Sequence, residues 1–259
     1  MNCCEVKISA SGAAIESTPA PLAHQAVHDT VVNIVQQFPK GKLLDVPAGT
    51  GALASRLIAA GFHVTCGDLY PELFQLEDVE IQSCDLGERL PYPDCSFDHA
   101  TCIEGLEHLE NAQHPIREFA RVLRPGGQFV TSVPNVLNIE ERLKLSLYGY
   151  TSHFKPISRA SLSSVPAEYA DKKEVALHVN PISYPELRYS LEESGFEIVK
   201  LYRDKPKRNS WVYWPVVLLI RLIGWLTPRQ KKRERWTDEL MSDEVLWGGN
   251  TLIVQAVKK

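Results

Sequence analysis

Three acidic residues accompany a glycine-rich turn in this chain of 259 residues. The segment LLDVPAGTG (43–51) is an apolar run carrying Asp45, and it turns through Pro47, Ala48, Gly49 and Gly51 into a helical pattern opening at Ala52. Glycines in such a turn let ligand atoms approach the backbone, and free N–H groups at a helix start favour polar or anionic groups. Taken alone the turn leaves two ligand classes open, because GTGALA (49–54) also fits the G-x-G-x-x-A form of the dinucleotide fingerprint. The acids discriminate. Asp45, four residues before Gly49, would repel a pyrophosphate but suits a cationic amino-acid group. Asp68, 19 residues after Gly49, stands where a carboxylate accepts both hydroxyls of a ribose. Asp85, in SCDL (83–86), is placed to accept from an adenine amino group. Any one of them could simply cap the next helix, but the three together suit a positively charged nucleoside without phosphate.

A second cluster, EGLEH (104–108), follows the fourth predicted strand, at the sheet edge where α/β proteins bind ligands. A histidine titrates near neutrality and can take a proton from an acceptor, so His108 is a candidate base. A helix starting at Gly105 would put Glu104 and His108 on one side. His153 and His178, further along, could also face an acceptor.

These residues need a scaffold that brings strand ends together. Apolar residues at helical spacing over 22–38 predict a helix that the PKG sequence at 39–41 stops. Short β-like runs at 43–46, 62–66, 79–84, 97–103 and 128–133 then alternate with helical patterns ending at Ala60 and spanning 115–123. That alternation predicts a parallel sheet wrapped by helices. Beyond Val133, helical periodicity over 139–147 gives way to residues rich in Ser, Pro, His and Tyr. Order returns with a helix at 184–194, Gly195 at its C-cap, and strands at 196–202 and 251–257. The expected organisation is a flexible tail at 1–20 and one domain at 21–259, with insertions at about 136–180 and 203–250 covering an acceptor.

With LLDVPAGTG, GDLYPE (67–72), SCDLGERLPYPDCSFDHATCIEGLEHL (83–109) and LRPGGQFVTSVPN (123–135) in this order, the chain resembles the class I S-adenosylmethionine-dependent methyltransferases. The likeness is to the subgroup that includes quinone-biosynthesis O-methyltransferases, and it covers roughly 42–135 and, more loosely, 184–202. It implies a Rossmann-like, mostly parallel seven-stranded sheet with helices on both faces and an antiparallel last strand. It also implies S-adenosylmethionine as methyl donor and S-adenosylhomocysteine as product. The 45–51 loop would hold the methionine part, Asp68 with Leu69 the ribose side and Asp85 with Leu86 the adenine, with Ile103 near the methyl group. Pro47 departs from the family, which usually has Gly there; proline lacks an N–H and fixes φ, so adjusted contacts are expected. Glu104, Glu107 and His108 match a segment of quinone-type and small-RNA 2′-O-methyltransferases that can bind a divalent ion.

The rival readings are an NAD-dependent oxidoreductase and a non-catalytic protein that binds the donor and docks through its insertions. Asp45 and Asp85 disfavour the first, as does the lack of a Tyr-x-x-x-Lys pair: Tyr169 and Lys172 are one residue too close. The residues at 211–226 (WVYWPVVLLIRLIGWL) are 13 apolar in 16, interrupted by Arg221 and followed by PRQKKRER (228–235). Residues 200–235 carry eleven Lys or Arg against Asp204 and Glu234, a local charge of +9 in a chain of −4 overall. This stretch is too short and charged to span a bilayer but suits an anionic membrane surface, and with it a small-molecule or lipid-linked acceptor. Nucleic acid is disfavoured, since overall charge offers no attraction and the basic run lacks spaced stacking aromatics.

Composition agrees with an ordinary globular chain: 44% apolar and 23% charged excludes disorder, collagen and a disulfide mini-scaffold. Six cysteines without a C-x-x-C pair argue against zinc and disulfides and for a reducing, cytoplasmic setting. The first 18 residues lack signal-peptide features; Cys3 and Cys4 are candidate acylation positions.

Overall fold

The structure is a computed structural model that describes residues 19–156, 177–206 and 210–259. Cys3, Cys4, nearly all of the expected 1–20 tail, the Tyr169 and Lys172 pair, and Lys207 with Arg208 lie outside the described residues. Ala20 is described, and its carbonyl accepts from the Thr50 hydroxyl at 2.7 Å.

The elements relevant to the site come in the order α1 (Gln25–Val35), β1 (Lys42–Asp45), α2 (Ala52–Ala59), β2 (His63–Asp68), β3 (Ile81–Ser83), β4 (Phe97–Cys102), α3 (Gln113–Val122) and β5 (Leu123–Pro134). Then follow α4 (Ile139–Tyr148), α5 (Tyr184–Glu193), β6 (Phe196–Arg203), α6 (Trp214–Leu226), α7 (Arg229–Glu234) and β7 (Thr251–Lys258). One seven-stranded sheet results, in the order β3-β2-β1-β4-β5-β7-β6. β1 is parallel to β2 and β4, and β4 to β5, while β7 runs antiparallel between β5 and β6. The mostly parallel sheet with one reversed strand is the expected architecture.

Strand periodicity divides the core between the two faces. Leu43, Val130 and Ile253 point to one side, where Val27, Val31 and Leu57 of α1 and α2 cover them. Their strand neighbours Leu44, Phe129 and Val254 point to the other, against Phe119 of α3 and Leu187 of α5. Because strand order reverses between β1 and β4, the helices leaving these strands diverge and open a crevice at their C-terminal ends.

Element boundaries depart from the sequence reading where pairing or turn chemistry decides. β5 starts at Leu123, because Leu123 pairs with Phe97 before a bulge at the glycines. β3 keeps only three residues, those that pair with β2. The helix expected from Gly105 is a single 3₁₀ turn, Leu106–His108. Glu104 before it is left-handed, at φ +51°, which is costly for a side chain of its size. Gly195, at φ +88°, turns α5 into β6 as its composition suggests.

Candidate active site

At the crevice lies a cavity of about 370 Å³, in the range of small-molecule sites. Its floor is the turn after β1, where Pro47, Ala48 and Gly49 line it. Gly49 takes φ +55° and Gly51 φ +87°, conformations that L side chains rarely adopt. Gly51 caps α2 rather than facing the cavity. A Cβ there would stand 2.9 Å from both Leu76 and Phe74, so the tight packing behind the loop also requires glycine.

The three acids take different positions. Asp68 lines the cavity and is nearly buried; its Oδ2 accepts from the Gly49 N–H at 2.7 Å and its Oδ1 from the Tyr70 N–H at 2.9 Å. One carboxylate thereby ties β2 to the β1 turn, and each oxygen keeps a lone pair for a ligand hydroxyl. Asp85 lines the cavity and accepts from the Gly87 N–H at 2.7 Å, which closes the turn after β3. Leu69 and Leu86 add apolar surface beside these acids, and Ile103 does so from the end of β4. Asp45 lies beneath the turn, fully buried and outside the cavity lining. Thr101 Oγ1 donates to its Oδ1 at 2.7 Å, while Oδ2 has no partner among the described residues. Burial pushes its carboxyl up to about 7, with the nearby Asp68 charge adding to the shift.

At the opposite wall stand Glu104, His108 and His178. Ser132 Oγ donates to Glu104 Oε1 at 3.0 Å and accepts from the Glu104 N–H at 2.9 Å, and burial raises the carboxyl. His108 Nδ1 lies 3.0 Å from the Leu177 carbonyl, which can only accept, so Nδ1 carries a proton and donates it there. The His178 ring stands edge-on to His108 at 4.8 Å and stacks with His153 at 6.0 Å. Burial, with smaller contributions from His108 and His153, lowers His178 to about 4 and keeps it neutral.

Glu107 points inward and is fully buried, with neither carboxylate oxygen partnered among the described residues. Burial and the Glu104 carboxylate raise it well above the usual range. Donor atoms of Glu107, His108 and His178 lie within 4.8 Å of one another, so these three could hold a cation. The cluster differs from the trio matched in sequence: His178 joins it and Glu104 does not. Its chemistry fits a divalent ion, since a buried carboxylate without partners and two imidazoles supply negative charge and neutral nitrogen donors.

His28 of α1 also lines the cavity and escaped the sequence reading. Its Nδ1 has no partner among the described residues, and burial, with the Arg56 charge adding, lowers it to about 4. The signal was a histidine set in the apolar helical face of Val27 and Val31.

Residues 44–131 match a family described as "Methyltransferase domain". Among curated proteins, the chain is 34% identical over 124 residues to the 27-O-demethylrifamycin SV methyltransferase of Amycolatopsis mediterranei, covering 44% of this chain and 46% of the relative. It is 36% identical over 110 residues to the ubiquinone biosynthesis O-methyltransferase of Xanthomonas campestris pv. campestris, covering 38% and 45%. The chain thus spans a little under half the length of these relatives. Among solved structures, an S-adenosylmethionine-dependent methyltransferase of Archaeoglobus fulgidus aligns over 89% of this chain and 94% of its own, with a TM-score of 0.52 and 16% identity, a likeness of fold. The resemblance to class I S-adenosylmethionine-dependent methyltransferases carried by the motifs is thus met by both sequence and fold.

Proposed function

We propose that this chain transfers a methyl group from S-adenosylmethionine to an oxygen of a small, apolar acceptor of the quinone type, free or lipid-linked. The observation that carries the reading is the cavity at the β1, β2 and β4 ends, where Asp68 bridges to the Gly49 N–H beside Leu69, Leu86 and Ile103. These groups fit a nucleoside: an acceptor pair for ribose hydroxyls, apolar walls for a base, and a glycine turn with no room for side chains. Of the two curated relatives named above, one is by name a methyltransferase of 27-O-demethylrifamycin SV and the other an O-methyltransferase of ubiquinone biosynthesis, which supports an oxygen acceptor.

The bound sulfonium supplies an electrophilic methyl group, and the chain's part is to hold the acceptor oxygen in line with it. His108 faces the same space with its Nδ1 proton committed to Leu177. Its Nε2 takes the proton of the acceptor hydroxyl as the O–CH₃ bond forms and the S–CH₃ bond breaks. Glu104 and His178 line the same wall, and burial keeps His178 neutral.

A second reading concerns the same wall. Glu107, His108 and His178 would together hold a divalent ion, favoured by the unpartnered buried carboxylate. The ion would then bind the acceptor oxygen and lower its pKa in place of the base. Incubation with labelled donor and catechol or hydroquinone acceptors, with and without chelator, tests both readings. Labelled O-methyl product that survives chelation supports His108 as base. Loss of product on chelation, together with a thermal upshift on adding Mn²⁺, supports the ion, and the absence of product with every oxygen acceptor counts against the proposal.

A further inference from the structure

We propose that α6 and α7 form a docking surface for an anionic lipid membrane. α6 is apolar nearly all round, a pattern that normally requires both faces to be covered. Only one face is. Val217 and Gly224 are buried and Ile220 is half-buried against Ile139, Met241, Leu246 and Trp247. Gly224 lets the helix approach closely, since a Cβ there would run into the Met241 side chain. The single charge on α6, Arg221, pairs with Asp243 of the protein body.

The other face presents Trp214, Leu218, Leu219, Leu222, Ile223 and Leu226, each at least half exposed and with no charge among them. Large aromatics flank it: Trp211 is 73% exposed before the helix and Trp225 is 74% exposed near its end. α4 extends the patch, for Leu143 packs against the α6 cluster and Leu147, one turn on, is 74% exposed. Monomeric proteins seldom expose so continuous an apolar stripe without using it.

The charges beside this face argue for one kind of cover. α7 begins three residues after α6 and exposes Arg229, Lys231 and Arg233, with Arg235 just beyond. Among the described residues, Lys232 alone in this run forms an ion pair, with Asp238 at 3.7 Å. An uncharged apolar stripe edged by tryptophans and continued by bare cations complements a layer of hydrocarbon beneath anionic headgroups. A second copy of the chain would bring its own cations against these, which disfavours self-association. At 13 residues, or about 20 Å, α6 is too short to cross a bilayer and would lie along its surface. Among the described residues, no helix is long and apolar enough to span one.

The test is co-sedimentation of the full chain with vesicles of phosphatidylcholine alone, or containing one third phosphatidylglycerol, at about 0.05 and about 0.5 M salt. The expected result is binding to anionic vesicles at low salt, weakened roughly tenfold or more by high salt or by neutral lipid. L222D/I223D should abolish binding, and R229Q/K231Q/R233Q should weaken it by about fivefold per charge. Both variants should keep the wild-type melting temperature and affinity for S-adenosylhomocysteine, because none of these side chains touches the core or the cavity. The readout is lipid binding alone, so it stands apart from the methyl-transfer reading. No binding to anionic vesicles at low salt, or a wild-type dimer that L222D/I223D dissociates, would overturn the proposal.

Discussion

Around the glycine turn, the groups that face the cavity lie within a few residues of the ends of β1, β2 and β4, held by neighbours close in sequence or by one bond such as Asp68 to Gly49. On the opposite wall His108 and His178 come from the turn after β4 and the stretch before α5, 70 positions apart, and His28 reaches the cavity from α1. The first wall is built of backbone conformation and strand register, the second of distant side chains that happen to converge. The methyltransferase-domain match covers 44–131, which includes the first wall and leaves out His28 and His178. A binding wall of this kind can be shared among relatives while the facing wall is rebuilt for each acceptor.

If the two walls divide the labour in this way, substitutions on each should fail differently. The largest effect is expected for His108→Gln, which removes a base while keeping a hydrogen-bonding side chain: turnover should fall about 10²- to 10⁴-fold with product affinity unchanged. Steady-state rates beside calorimetry would show this split, and an equal loss in both would move His108 to the cofactor wall. Asp68→Ala should do the reverse. Removing a charged acceptor from the Gly49 and Tyr70 N–H groups should weaken S-adenosylhomocysteine about 10- to 100-fold and loosen the turn.

A smaller effect separates two left-handed glycines. Gly51→Ala meets Leu76 and Phe74 at 2.9 Å as well as an unfavourable φ, so it should cost about 2 to 3 kcal/mol in a urea melt. Gly149→Ala, at the end of α4 with φ +76° and nothing within 4 Å, should cost only about 1 kcal/mol. Equal costs would show that the packing behind the turn does not matter.

Groups in the cavity and beneath it also differ in their response to pH. His28 and His178 are held near 4 against 6.5 in the unfolded chain, so the unfolded state takes up protons first. Their contribution is complete above pH 6.5 and is lost as pH falls toward 4. Asp45 acts in the opposite sense: raised to about 7 from 3.8, it favours the folded state below pH 4 and withdraws that stability as pH rises to 7. Asp45→Asn should therefore stabilise the protein at pH 8, by at most about 4 kcal/mol at 1.36 kcal/mol per pKa unit, and not at pH 4. His178→Asn should flatten the acid limb alone. Denaturant midpoints across pH would check both signs.

The pattern of legibility follows the same division. Leu43, Leu44 and the glycines after them announce a buried strand and its turn, because two-residue periodicity and positive φ are local properties written into short segments. Asp68 was readable because its distance from Gly49 is set by one βαβ unit. The antiparallel β7 came through resemblance, since nothing in TLIVQAVK states its direction. The 3₁₀ turn after Glu104 was hidden, because φ +51° at a glutamate is enforced by Ser132, a partner 28 positions away. His28 was passed over among the apolar residues of its helix, and the replacement of Glu104 by His178 beside Glu107 depends on a contact across some 70 residues. Asp45 was placed at the correct strand end, but its burial beneath the turn depends on Thr101 of β4.

The central claim is that the turn after β1, with Asp68, holds a sulfonium nucleoside. Titration calorimetry of the purified chain with S-adenosylhomocysteine, in parallel with NAD and with the Asp68→Ala variant, tests it most directly. One site per chain for S-adenosylhomocysteine, no heat with NAD and at least a tenfold loss in the variant are the expected results. No heat with S-adenosylmethionine or its product, or binding of NAD instead, would contradict the account.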